Sequence, residues 1–131
     1  MPVTQADFDA EFRLAKQIEV QRVRVRTMLE QARDLKARLG KAKGQPNADA
    51  LSTQLTDLVG TGAPISGSVA PTDLSGISEW LDKLANAVDG ADGAPTPDDA
   101  QGFATVTAAL NAIAPRWTAF EASASSQLPP A

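Results

Sequence analysis

The sequence predicts an all-α chain folded as a single-domain, antiparallel four-helix bundle, with one long N-terminal helix and a Pro-kinked last helix. Three observations lead there. After the opening residues no Gly or Pro interrupts the chain until Gly40. Apolar residues recur at steps of four and three, the spacing that lines one face of a helix. The composition is rich in Ala and Leu with only four Phe, two Trp and no Tyr, which suits helices packed through small side chains.

The first helix is expected over roughly 5–40. Thr4 stands where an N-cap is wanted, with Asp7 three residues on as the acidic partner of a capping box. Leu14, Ile18, Gln21, Val25, Met28, Ala32, Leu35 and Leu39 form one stripe, broken only by Gln21. Phe8 and Phe12 extend the apolar surface at its start, rotated slightly from the stripe.

The breaker-rich turn GKAKGQPN follows, and Pro46 or Asn47 opens a shorter helix, ADALSTQLTDLV, with Leu51, Leu55 and Leu58 on one side. Residues 60–71, GTGAPISGSVAP, read as a loop in which Ile65 and Val69 are pinned to the core. Thr72 is the expected cap of a third helix. It carries Leu74, Ile77, Trp80 or Leu81, Leu84 and Val88, and it ends at Gly90.

After GADGAPTPDD, Thr96 is the expected cap and Pro97 the first residue of the last helix, with Asp98 and Asp99 where the helix dipole favours negative charge. That helix carries Phe103, Val106, Leu110, Ile113, Trp117 and Phe120. Pro115 is expected to kink it or divide it near Ala112. From Ser123 the sequence reads as fraying, with 124–131 a flexible tail of the single domain 1–131.

The chain contains no Cys and no His. That removes thiolate nucleophiles, the usual zinc ligands and histidine acid–base chemistry. The acidic pairs Asp98/Asp99 and Asp89/Asp92 lie at helix ends, where capping accounts for them better than a glycosidase pair does. DGADG lacks the alternating oxygen ligands and distant Glu of a calcium loop. The expectation is therefore a chain with no catalytic residue, no metal and no cofactor. No apolar run reaches the ~20 residues of a membrane-spanning helix. The opening MPVTQADFDAEF, acidic and polar, does not read as a signal peptide.

Charge is unevenly distributed. Residues 1–43 carry a net charge of +4 and residues 44–131 a net charge of −8. The basic excess is centred on IEVQRVRVRTM, residues 18–28, whose Val-Arg-Val-Arg alternation imitates a strand. The four-three stripe runs straight through it, so the segment is helical: Ile18, Val25 and Met28 point inward, Val20 and Val23 to the opposite side. Arg22, Arg26 and Arg33 share one side and Arg24 points elsewhere. Glu19 and Glu30 stand at ion-pairing distance in sequence, Glu19 from Arg22 and Glu30 from Arg26 and Arg33. Nucleic-acid binding would require a stronger positive field and stacking aromatics. Val20 and Val23 form a second apolar strip, to be covered either by the short second helix or by a partner. The candidate interaction residues are thus Val20, Val23, Arg22, Arg24 and Arg26, with Trp80 and Trp117 as aromatics that a small bundle leaves only partly covered.

Two segments carry a family resemblance. In FRLAKQIEVQRVRVRTMLEQARDLKARL, Phe12, Leu14 and Ala15 precede Arg33, Asp34 and Leu35. In LANAVDGADGAPTPDDAQGFATVTAAL, Val88, Ala91, Asp92, Ala94, Pro95 and Thr96 form a hairpin turn, and Leu128-Pro129 follows near the end. This pattern resembles the helical C-terminal region of bacterial sortilin-like, BNR-repeat β-propeller proteins, often labelled glycosyl hydrolases. The resemblance implies a helical accessory domain with an extracytoplasmic parent, periplasmic or secreted. It brings no catalytic residue, because no propeller repeat is present in these residues.

The functional expectation is a non-catalytic structural or interaction domain, an accessory subunit of an exported or envelope assembly. Its partner is a protein with an acidic or mixed surface in a multi-subunit complex, not a nucleic acid. The alternative is a carbohydrate or small-ligand binding module associated with a propeller-type parent, using Trp80 or Trp117.

Overall fold

A computed structural model of the chain describes residues 5–42, 44–60, 71–89 and 97–128. These form four helices, α1 (Gln5–Lys41), α2 (Ala48–Val59), α3 (Leu74–Asp89) and α4 (Pro97–Gln127), with no strand among the described residues. The all-α class expected from the sequence is what the chain adopts. No helix among the described residues is long and apolar enough to cross a membrane. The expected Thr4 and Thr96 caps, the pinned Ile65 and Val69 and the Gly90 stop lie outside the described residues, as do the side chains of Asp7, Phe8, Asp89, Asp98 and Asp99.

At 37 residues, α1 is the longest element, about 55 Å at the standard helical rise. Its apolar stripe is buried from Leu14 to Leu39, and Gln21, the one polar member, is half-buried. In α2, Leu51, Leu55 and Leu58 face inward as their spacing requires. Asn47 stands at the N-cap position but makes no side-chain cap bond; its Nδ2 donates instead to Gln127 Oε1 on α4 at 3.2 Å. In α3 the buried apolar side chains are Leu74, Ile77, Leu81, Leu84 and Val88, so Leu81 rather than Trp80 takes the core position.

The cap of α3 is Asp73, one residue beyond the expected Thr72. Asp73 Oδ1 accepts from the Gly76 amide at 2.7 Å and its carbonyl accepts from Ile77 at 3.0 Å. This satisfies one of the donors that every helix start leaves open.

Helix α4 departs furthest from expectation. Pro115 lies inside it without dividing it. Pro115 offers no N–H to the Asn111 carbonyl, yet Ile113, Ala114 and Trp117 are all buried on either side of it, and that packing holds one helical element together. The expected tail is also corrected over its described part. Helix continues to Gln127, and Ala124 and Leu128 are buried. Side-chain and helix-end bonds from Arg38, given below, explain why this end does not fray.

Cross-helix bonds give the directions. Residues 24, 31 and 38 of α1 bond residues 111, 117 and 125 of α4. The offset stays nearly constant, as it does only when two helices run the same way. Helices α1 and α4, the first and last of the chain, therefore run in the same direction. Against α3 the order reverses: Arg22 bonds Asp82, while Arg33 further along shares a cleft with Ser75. The same reversal relates α2 to α4, through Asn47 with Gln127 and Leu58 beside Arg116.

The end of α2 meets the start of α3. Gly60, at φ +90°, closes α2, and a Cβ placed there would run into the Asp73 carboxylate that caps α3. A 12-residue helix is too short to accompany α1 along its length, and α3 takes over where α2 stops. All four helices contribute to one cluster of buried apolar side chains.

Candidate interaction surface

Helix α1 presents three distinct faces beside its buried stripe. The first meets α4. Arg24 Nη1 donates to Asn111 Oδ1 at 3.2 Å and to Gln21 Oε1 at 3.4 Å. The Trp117 indole N–H donates to Gln31 Oε1 at 2.9 Å. Arg38 donates from Nη1 to Ser125 Oγ at 2.8 Å and from Nη2 to the carbonyls of Ser125 and Leu128 at 2.7 and 2.8 Å. Arg24, Gln31 and Arg38 are spaced seven residues apart, the heptad interval that keeps successive side chains on one seam.

Arg38 is the buried charged residue among those described, 8% exposed. Its guanidinium binds the last carbonyls of α4, where the helix dipole is negative. Charge-assisted bonds of this kind are the strong ones, and they anchor the end of the chain that the sequence presents as a tail. The heptad spacing of 24, 31 and 38 was the available signal for this seam. Apolar periodicity alone overlooks it.

The seam also settles two of the candidate interaction residues. Trp117 is 1% exposed and packs in the core against Phe120, its ring tilted by 50° at a centroid distance of 5.9 Å, so it is not a partly covered aromatic. Arg24 is engaged by α4. Trp80 is half-buried on the α3–α4 seam, where a Cβ added at Gly102 would lie 3.5 Å from its Nε1 and 3.2 Å from Leu84. Gly102 thus lets the two helices approach around the indole.

The second face points away from the bundle. Val20 and Val23 are 59% and 49% exposed, and Phe12, at 67%, completes the large exposed hydrophobics among the described residues. Lys16 lies over the Phe12 ring at 5.8 Å, an ordinary surface cation–π contact. The Thr27 hydroxyl, beside Val23, donates to the Val23 carbonyl at 3.1 Å and offers no free donor outward. Of the two covers expected for Val20 and Val23, α2 does not supply one; it lies further along α1, beside Leu29, Ala32 and Lys36.

The third face looks towards α2 and α3. Arg22 pairs with Glu19 at 3.0 Å, as its spacing predicts, and with Asp82 of α3 at 3.1 Å. The second pair joins the basic first helix to the acidic remainder of the chain. The pairs expected between Glu30 and Arg26 or Arg33 do not form: among the described residues Arg26, Arg33 and Lys36 make no hydrogen bond or ion pair. Two clefts open along this face, of about 340 and 260 Å³, and they share Leu29 and Arg33 in their walls.

No group of three or more acidic side chains that could hold a metal ion occurs among the described residues. Compared with known protein families, with curated proteins and with solved structures, the chain matches none.

Proposed function

We propose that the chain is a non-catalytic helical accessory domain that docks onto a larger protein assembly through the outward face of α1. One observation carries this reading. On the longest helix, opposite the buried stripe, Val20 and Val23 are 59% and 49% exposed, with none of the described helices over them. An apolar strip on the far side of a core helix is the surface a partner covers. Arg13 and Lys16 lie on or beside this strip, both exposed, and Arg26 flanks it. That rim favours a partner surface of acidic or mixed charge.

The finer architecture belongs to the same proposal. The four helices make one bundle in which α1 and α4 are full-length members and α2 and α3 share a third position end to end, with α4 bending at Pro115. The antiparallel element is then the α2–α3 pair against the two long helices. A rigid bundle of this shape holds the docking helix straight and exposes one side of it. The resemblance to the helical region of sortilin-like propeller proteins supports an exported or envelope-associated parent, with an extracytoplasmic location.

The test is affinity capture from an envelope fraction of the source organism, followed by re-binding of the captured protein in purified form. Val23→Glu combined with Arg26→Glu is expected to weaken re-binding at least tenfold while far-UV circular dichroism stays unchanged. Equal binding of the double variant overturns this face as the interface.

A further inference from the structure

The clefts on the third face of α1 have a chemistry that docking through the second face does not use. The larger one sits where α2 ends and α3 begins. Leu29, Leu55 and Val59 form its apolar floor, and Arg33 and Lys36 stand at its edge. Among the described residues no acidic side chain lines it, while the hydroxyl-bearing Ser52, Thr56 and Ser75 do. The adjoining cleft brings Arg26 and Ser78 to the other side of Arg33. Of its two acids, Asp82 is held by Arg22 and Glu30 pairs with no cation among the described residues. Arg33 therefore lies at the junction, with its guanidinium unpaired among the described residues.

We propose that this cleft binds an amphipathic anion, an unbranched alkyl chain ending in a carboxylate, with the chain on Leu29, Leu55 and Val59 and the head group on Arg33. Three physical points lead to that class of ligand. A planar guanidinium recognises a carboxylate through two parallel N–H bonds, and Glu30, the acid that shares the adjoining cleft with Arg33, makes no pair with it. The volume falls at the lower end of small-molecule sites, which pair an apolar lining with a few placed polar groups. The wall beside Arg33 carries Lys36 and Arg26 and so adds further positive potential, strengthened by the low-dielectric floor. A polyanionic polymer does not need such a floor, and a neutral ligand leaves the cations unanswered.

Isothermal titration of the purified full chain with sodium decanoate, kept below its micelle concentration, tests the assignment. Saturable one-to-one binding is expected, with decyltrimethylammonium, the same chain bearing a cation, giving none. Arg33→Gln is expected to weaken decanoate binding at least tenfold; Arg33 is exposed and makes no bond among the described residues, so the variant is expected to fold. Lys36→Gln gives a smaller loss. Arg116→Gln, an exposed arginine on α4 away from the cleft, leaves affinity unchanged and controls for net charge. Absence of saturable binding, equal binding of the cationic amphiphile, or wild-type affinity in Arg33→Gln each overturns the proposal. So does flotation with anionic-lipid vesicles in the absence of decanoate binding, which would place the basic face on a membrane surface. A Val20→Glu/Val23→Glu variant distinguishes the two readings, because it disrupts the outward strip and retains Arg26, Arg33 and the apolar floor.

Discussion

On the α4 side of α1, Arg24 and Arg38 reach acceptors on the neighbouring helix; on the α2–α3 side, Arg26 and Arg33 reach none among the described residues. The residue type and the helix are the same, so the difference lies in what stands opposite. Helix α4 runs parallel to α1 and brings the Asn111 amide opposite Arg24, the Trp117 indole opposite Gln31, and a serine and its own terminal carbonyls opposite Arg38. The opposite flank faces two helices meeting end to end. They offer mostly hydroxyls, plus one carboxylate, Asp82, which Arg22 takes. One flank is a closed structural seam. The other is open, with cations that contribute little to stability and remain available for a ligand.

The largest expected effect tests the closed seam at its buried end. Arg38→Met retains the apolar stem but leaves the Ser125 and Leu128 carbonyls without their donor. Loss of these charge-assisted bonds is expected to cost about 3 kcal/mol. In urea unfolding this lowers the midpoint by about 1–2 M, and amide exchange should rise first over the last turns of α4. A loss under about 1 kcal/mol would mean that Ala124 and Leu128 hold this end through apolar burial alone.

A middle-sized effect lies at the next rung. Trp117→Phe keeps an aromatic ring in the core but removes the N–H that Gln31 accepts, and it leaves some unfilled volume. The expected cost is about 1–2 kcal/mol. Because Gln31 is solvent-accessible, its freed amide is re-hydrated, which keeps this below the Arg38 effect. A double-mutant cycle with Gln31→Ala separates the hydrogen bond from the packing.

The smallest effect sharpens the contrast. Arg33→Gln on the open flank should change unfolding stability by no more than about 0.5 kcal/mol, as for a surface residue with no partner. A larger destabilisation would show that the open flank is structural after all and would erase the distinction between the two sides.

Much of the fold is legible in the residues, and the reason is local. The four-three stripe of α1, the three leucines of α2 and the inward set of α3 all follow from helix periodicity, which neighbouring residues set among themselves. Arg22 with Glu19 is legible for the same reason, being a pair within a single turn. The cap of α3 was misplaced by one residue because Thr72 and Asp73 are both good N-caps, and local preference does not choose between them. Glu30 shows the limit of spacing: it stands at pairing distance from two arginines and pairs with neither.

What the residues left open is everything decided across helices. Pro115 and the serine-rich end read as a break and a tail because intrinsic propensity disfavours helix there, and packing of Trp117 and Ala124 together with the Arg38 bonds overrides that preference. Trp117 and Trp80 look alike as candidates for exposure, yet one is core and one half-covered. The outward strip of Val20 and Val23 was recognisable as a second apolar side; that α2 lies too far along α1 to cover it was not.

By itself, then, the sequence determined four helices, nearly all their bounds and the inward face of each, because backbone hydrogen bonding and amphipathic period are properties of contiguous residues. Tertiary structure alone decided that α4 runs with α1, that α2 and α3 meet end to end, and which arginines are spent on the protein and which stand free. Those outcomes depend on lengths, junctions and the groups that happen to face one another, and no periodicity within a single helix encodes them.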